Sequence, residues 1–270
     1  MKKFKILWLL PILALAACGG KGQEVDNAKA KDVAANIATS SKEAKMVDFT
    51  MEMTDYDADS KNNSTTTYTY KKVENGDIYC TISGSGTDAE NKRTSSSAEL
   101  YLVKNDKYEE VFYYHMKSTG SEENDNYENY SVYGKKGNEA MYATVVSSYG
   151  VATTTMTKGM YEGFADPSAL VASSQLEEAE GYEIKYYSSG NKNLVIEVKL
   201  SRDKAISEDD DTKMANATYT YKDGMFEKCE IEAEYFDGSK MSQKCSAKYS
   251  GVKIPELPDG WESKMSQSLL

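Results

Sequence analysis

The sequence predicts an α+β protein, built as a meander of antiparallel strands with helices on one side. Three observations carry that expectation. Long stretches alternate apolar and polar residues, which is the period of a half-buried strand. Turn signals such as Asn75-Gly76 and Ser189-Gly190 separate these stretches and join neighbours as hairpins. Three segments depart from period two and read as helices: residues 24–46, 138–149 and 166–175. Connected antiparallel strands with segregated helices make an α+β architecture.

Taken in order, residues 24–46 are rich in Ala, Lys and Glu, with acidic residues early. Val33, Ile37 and Ala44 form a thin apolar stripe there. Residues 47–54 then alternate cleanly, with Val47, Phe49, Met51 and Met53 on one side. Residues 55–64 read as a polar turn and residues 65–73 as a strand. After Asn75-Gly76, Ile78, Cys80 and Ile82 share a side. Residues 83–96 read as a long polar loop. Ala98, Leu100 and Leu102 open the next strand, Asn105-Asp106 turns it, and residues 108–117 return. Residues 118–126 form an acidic loop and 127–133 a further strand.

Residues 138–149 place Met141, Val145 and Val146 at helical spacing, and residues 151–156 read as a short strand. Asp166-Pro167 has the form of a helix start, with Asp as N-cap and Pro in the first turn. That helix would bury Leu170 and Val171. Strands resume at residue 181. Leu194, Ile196, Val198 and Leu200 alternate strictly, and residues 214–221, 226–235 and 239–249 close the meander. The tail Ile254-Pro255-Glu256-Leu257-Pro258 is held extended by its prolines. Thr67-Tyr68-Thr69-Tyr70-Lys71 before Cys80 echoes Thr218-Tyr219-Thr220-Tyr221-Lys222 before Cys229.

The first 17 residues have the layout of an export signal. Lys2, Lys3 and Lys5 precede an apolar run over residues 6–13, and small residues follow. The run is too short for a bilayer span, which takes about 20 apolar residues. Leu15-Ala16-Ala17-Cys18 resembles the lipobox of bacterial lipoproteins. The resemblance implies cleavage before Cys18, which then carries a diacylglyceryl thioether as the acylated N-terminus. Two or three acyl chains hold a protein firmly where one holds it marginally. Residues 18–23 would be a short lipidated tether, and 24–270 a single extracytoplasmic domain. The expected place is the outer side of the cell membrane.

Removing residues 1–17 takes away three lysines and no acid, so the net charge moves from −11 to −14. An acidic surface is repelled by anionic lipid and by nucleic-acid phosphates. The acyl chains, rather than the protein surface, are then the expected membrane anchor, and nucleic acid is not an expected partner.

Cys80, Cys229 and Cys245 follow Cys18, and an odd number leaves at least one thiol free. Tyr235-Phe236-Asp237-Gly238-Ser239 reads as a three-residue hairpin loop with Gly238 left-handed. That register sets Cys229 opposite Cys245 at a hydrogen-bonded position. There the Cα atoms lie about 5.5 Å apart and a disulfide is possible without being favoured.

The helix, the strand over residues 47–54, Asp166-Pro167-Ser168-Ala169-Leu170 and the closing strand with its Ile-Pro tail together resemble the LppX/LprG and LolA/LolB lipoprotein group. That resemblance implies a curved antiparallel half-barrel with helices over its concave side, and a cavity for a lipid-like ligand. The loops at 83–96 and 118–126 are longer than that pattern, and the apolar positions are leaner. A curved sheet needs its concave face filled, and flexible Met side chains suit adaptable apolar surfaces. The expected lining is Met51, Met53, Ile78, Ile82, Leu100 and Leu102 from the first meander. Met141, Val145, Leu170 and Val171 would come from the middle helices, and Ile196 and Val198 from the second meander. The same residues also serve as plain core.

Tyrosine is abundant, 21 against 6 Phe. Tyr79, Tyr101, Tyr113, Tyr187, Tyr219 and Tyr221 fall in predicted strands. They offer an alternative role, a sheet face that meets an envelope partner protein or a cell-wall glycan. They are equally the residues expected on any solvated sheet.

Catalytic constellations are not legible. His115 is the only histidine, there is no G-x-S-x-G, and no second histidine completes a zinc motif. No C-x-x-C or phosphate-binding glycine loop occurs. Asp55, Asp57 and Asp59 copy half of a calcium loop, but Ser60 and Thr66 stand where Gly and Glu belong. The expectation is a protein that is not an enzyme, with no cofactor and no metal.

Overall fold

The computed structural model describes residues 21–87, 90, 92–120, 126–136, 142–147, 150–155, 181–203 and 211–267. Among these, twelve strands pair antiparallel into a sheet and two more form a separate ribbon. The chain divides into two compact units. One comprises Met1–Ala44, Met51–Asn63 and Asp166–Ala247. The other comprises Lys45–Thr50, Ser64–Ala165 and Lys248–Leu270.

The first unit begins with a three-residue strand, β1 (Gln23–Val25), where the sequence predicts tether and helix. Helix α1 (Asn27–Lys42) follows, starting three residues later than expected. The delay has a local cause. The Asp26 carboxylate accepts a hydrogen bond from the Lys29 N–H at 2.8 Å and caps the first turn, so the chain before it is free to pair as a strand. Ala30, Val33 and Ile37 are fully buried, and α1 lies against the sheet strands named next. Ala44 lies beyond the helix and is half-buried.

That sheet runs β1, β10 (Tyr182–Ser188), β11 (Leu194–Ser201), β12 (Thr212–Lys222), β13 (Met225–Tyr235) and β14 (Lys240–Lys248). The Met51–Asp57 part of β2 (Val47–Asp57) belongs to the same unit. Burial alternates along β11 to β14, so one side is apolar and the other carries Lys and Glu. On the apolar side Tyr186, Ile196, Tyr219, Cys229 and Cys245 stand opposite one another from strand to strand. The β13–β14 turn is as expected. Gly238 sits at φ +87°, and the Tyr235 N–H donates to Ser239 O at 2.9 Å.

The second unit is a meander of β3 (Asn62–Lys72), β4 (Ile78–Thr87), β5 (Arg93–Val103), β6 (Glu110–Thr119) and β7 (Tyr127–Lys135). The Asn75-Gly76 turn forms, with Gly76 at φ +88° and the Asp77 N–H donating to Asn75 Oδ1. The long polar loop expected over residues 83–96 is a correction. β4 runs to Thr87 and β5 starts at Arg93, with Ser and Gly paired across them. Main-chain ladder bonds need no apolar side chain, so a polar, small-residue stretch extended a hairpin that hydropathy alone ended early.

The helix expected over residues 138–149 is also corrected. β8 (Tyr142–Ser147) and β9 (Gly150–Thr155) pair as a hairpin. Together they hold three Val, four Thr and one Tyr, whose branched or aromatic side chains favour a pleated backbone over a three-residue helical spacing match. The expected helix at 166–175 lies outside the described residues. Where three helices were expected, the described residues hold two, α1 and a C-terminal α2 (Trp261–Gln267) that the tail's prolines concealed.

Candidate functional site

Register sorts the second unit's side chains onto two sides. One side carries the row Tyr79, Tyr101, Tyr113 and Val132. Its rings pack successively, Tyr79 to Tyr101 at 4.7 Å and Tyr101 to Tyr113 edge-on at 5.7 Å between centroids. Ile254, Leu257, Trp261 and Met265 of the tail pack against this cluster. Trp261 meets Tyr108 edge-on at 6.0 Å, and Lys107 pairs with Glu262 at 2.9 Å. Burial raises the Tyr101 phenol, and it pushes Tyr113 up to about 12.

The next row on the same side, Thr81, Glu99, His115 and Tyr130, holds the sole histidine. His115 Nε2 is 2.9 Å from Glu128 Oε1, and Nδ1 is 3.5 Å from Glu99 Oε1. The ring stacks on Tyr130 at 4.2 Å with planes 2° apart. Tyr130 donates its hydroxyl to Glu128, and Lys264 sits 4.5 Å over the Tyr130 ring. The Tyr130 hydroxyl and then His115 hold the Glu128 carboxyl below its usual range. Both ring nitrogens thus face carboxylates. The arrangement ties β5, β6 and β7 together and steadies α2. Among the described residues, no group of three or more His, Cys, Asp or Glu is placed to hold a metal ion.

The opposite side of the same strands is apolar and graded. Ile78, Leu102 and Phe112 are in register and buried. Next come Tyr70, Cys80, Leu100 and Tyr114. The third row is Tyr68, Ile82, Ala98, Met116 and Asn129. Here burial lapses: Ile82 is 45% exposed, and Tyr68 and Met116 are half-buried. Tyr127, also 45% exposed, stands one row further out.

The Met116 sulfur accepts from Tyr114 Oη at 3.2 Å and lies 3.7 Å from Tyr127 Oη. The Tyr68 ring leans on Phe49 at 6.4 Å. Burial raises the Tyr68 phenol, and it pushes the Cys80 thiol up to about 11. The row ends at Asn129 Oδ1, a buried acceptor with no hydrogen-bond partner among the described residues. A partly exposed apolar row that ends in an open acceptor is the candidate site.

The expected lining residues are spread over both units. Ile78, Ile82, Leu100 and Leu102 share one side of the second unit. Ile196 and Val198 lie on the buried side of the first. Met51 and Met53 are half-buried in the first unit's part of β2. They alternate with Thr54, which bonds Ser242 on the polar side. Val145 falls in β8, while Met141, Leu170, Val171 and Cys18 lie outside the described residues.

Cys229 and Cys245 stand opposite each other as the hairpin register required, and both are free thiols. Their mutual contact, with burial, pushes the Cys229 thiol up. Gln243 Nε2 lies 3.3 Å from the Cys245 sulfur. The tyrosines do not gather on one open face. Tyr101, Tyr113, Tyr219 and Tyr221 are buried, and Tyr79 and Tyr187 half-buried. Sequence reasoning missed Tyr68, Tyr114, Met116 and Asn129. Register counting from Asn75-Gly76 and Asn105-Asp106 was the signal available for Tyr68, Tyr114 and Met116.

No protein-family description matches the chain, and neither does any curated protein. Solved structures similar to it include a β-barrel-like protein of the DUF1849 family from Brucella abortus. It is 9% identical, covers 75% of this chain and 95% of that chain, and has a TM-score of 0.29. The transport unit of the autotransporter AIDA-I from Escherichia coli is 11% identical, over 81% and 99%, with a TM-score of 0.24. A putative outer membrane lipoprotein-sorting protein domain from Vibrio parahaemolyticus is 10% identical, over 89% and 98%, with a TM-score of 0.21. These likenesses concern chain trace alone. No described helix is long and apolar enough to cross a membrane.

Proposed function

We propose that this chain is an extracytoplasmic lipoprotein, anchored through Cys18, that binds an amphiphile along the Tyr68–Ile82–Ala98–Met116 row. The observation that supports this reading is the lapse of burial there. A side chain such as Ile82 left 45% exposed beside half-buried Tyr and Met forms an adaptable apolar strip rather than a finished core. Apolar chains lie along Ile82 and Met116, and a head group with a hydroxyl or amine donor meets Asn129 Oδ1. The role is one of holding, with no chemistry performed on the ligand. Each buried methylene of such a ligand contributes about 0.8 kcal/mol, so a few suffice for measurable binding.

The test is native mass spectrometry of the purified chain with added lysophospholipid. A bound species is expected, and it should weaken strongly in Ile82→Asp and Met116→Lys variants whose thermal unfolding is unchanged. Unaltered binding in both variants removes this site from the reading.

A further inference from the structure

We propose that the polar side of β10–β11, together with the β1 edge, is the surface that rests on the bilayer. This inference rests on the reading of Cys18 as the acylated N-terminus. It begins from covalent reach. Lys21 stands three residues beyond Cys18, and three extended residues span about 11 Å at most. Lys21 is itself held to the sheet. It forms an ion pair with Glu197, and its ammonium lies 5.6 Å over the Tyr187 ring. Tyr187 donates its hydroxyl to the same Glu197 at 3.1 Å. Two residues on, β1 pairs with Tyr186, Tyr187 and Ser188, and Asp26 caps α1. The tether between the anchor and the fold is therefore about 11 Å long at most. The surface around Lys21 is therefore the one nearest the anchor and the head groups.

Charge points the same way. On this side Glu183 stands opposite Lys199, and Lys185 opposite Glu197. Lys185 also pairs with Glu183 at 2.8 Å. These groups cancel locally, while the whole chain carries −11. An anionic bilayer repels an acidic surface, and a charge-balanced side approaches it without that penalty. Tyr187 adds a half-buried ring whose polar end suits the head-group layer.

The experiment uses the full chain, purified with its acyl chains and placed on vesicles of phosphatidylcholine and phosphatidylglycerol. Tryptophan is introduced at one site at a time, Tyr187→Trp, Lys185→Trp or Phe236→Trp, in a Trp261→Phe background. Vesicles with lipids brominated near the head group then act as quencher. Emission from positions 185 and 187 should be lost, and emission from position 236, on the β13–β14 hairpin, retained. Lys185 is exposed, so that variant folds even if the Tyr187 variant does not. Protein that floats with the vesicles while positions 185 and 187 stay bright overturns the orientation and leaves the anchor standing. Protein that does not float, like its Cys18→Ala counterpart, overturns the anchor and this inference with it.

Discussion

The two units use the same device, an antiparallel meander with tyrosines at alternate positions, and finish it differently. In the first, the central row of the β10–β14 sheet is closed. Ile196, Tyr219 and Cys229 are at most 3% exposed, and α1 supplies a fully buried stripe of Ala30, Val33 and Ile37. In the second, a short tail closes one side over Tyr101 and Tyr113, while the other side opens toward Ile82 and Tyr127. The two matching Thr-Tyr-Thr-Tyr-Lys segments show the contrast directly. The downstream cysteine faces the second tyrosine in one, Tyr70 opposite Cys80, and the first in the other, Tyr219 opposite Cys229. Past that pair, β13 continues into Ile231 and Ala233, both buried, whereas β4 continues into exposed Ile82 and small polar residues. Similar tyrosine–cysteine pairs thus lead into core in one place and into an open strip in the other.

The largest effect should come from breaking the closed unit. Ile196→Ala removes a fully buried side chain and should cost about 2–5 kcal/mol in urea unfolding. Ile82→Ala, the counterpart on the open strip, should stay within about 1 kcal/mol. Equal losses would erase the distinction between the units.

The tail's contact is tested next. A Cβ at Gly134 would lie 2.6 Å from Tyr108 Cδ1. Gly134→Ala should therefore push Tyr108 off Trp261, cost about 1–3 kcal/mol as overpacking does, and shift Trp261 emission to the red. Trp261 is the only tryptophan after residue 17, so the signal is clean.

A smaller effect is expected at the β13–β14 turn. Gly238 holds φ +87°, and Gly238→Ala should cost about 1 kcal/mol by unfolding midpoint.

The smallest effect concerns pH. The Lys21 ammonium, then the Tyr187 hydroxyl, hold the Glu197 carboxyl below its usual range. A carboxyl depressed in the folded chain contributes stability above its unfolded value. It loses that contribution as pH falls through the lower folded value. The N-terminal clasp should therefore be intact near neutrality and loosen in acid, below the ordinary glutamate range. Faster proteolysis at residues 21–25 in acid would show it, and Glu197→Gln should remove the pH dependence.

Much of the strand order was legible because side-chain period and turn chemistry are local. Asn75-Gly76, Gly238 and the strict alternation at Leu194–Leu200 each constrain their neighbours within a few residues. Three features were not legible, for three reasons. The 83–96 stretch is held by ladder bonds, which hydropathy does not register. The hairpin at β8–β9 was hidden by an accidental helical spacing of Met141, Val145 and Val146. Helix α2 is too short to show periodicity and is stabilised by what it packs on. The candidate site fared likewise. Ile82, named from its strand, belongs to it, while Ile196 and Val198, named on the same grounds, are core.

The sequence by itself determined which residues alternate, where the chain turns and that Cys229 meets Cys245, because backbone period and turn geometry act over neighbouring residues. Only the tertiary structure decided which apolar side is sealed and which stays open. That depends on which distant segment arrives to cover it, α1 in one unit and the tail in the other, and no local pattern encodes its arrival.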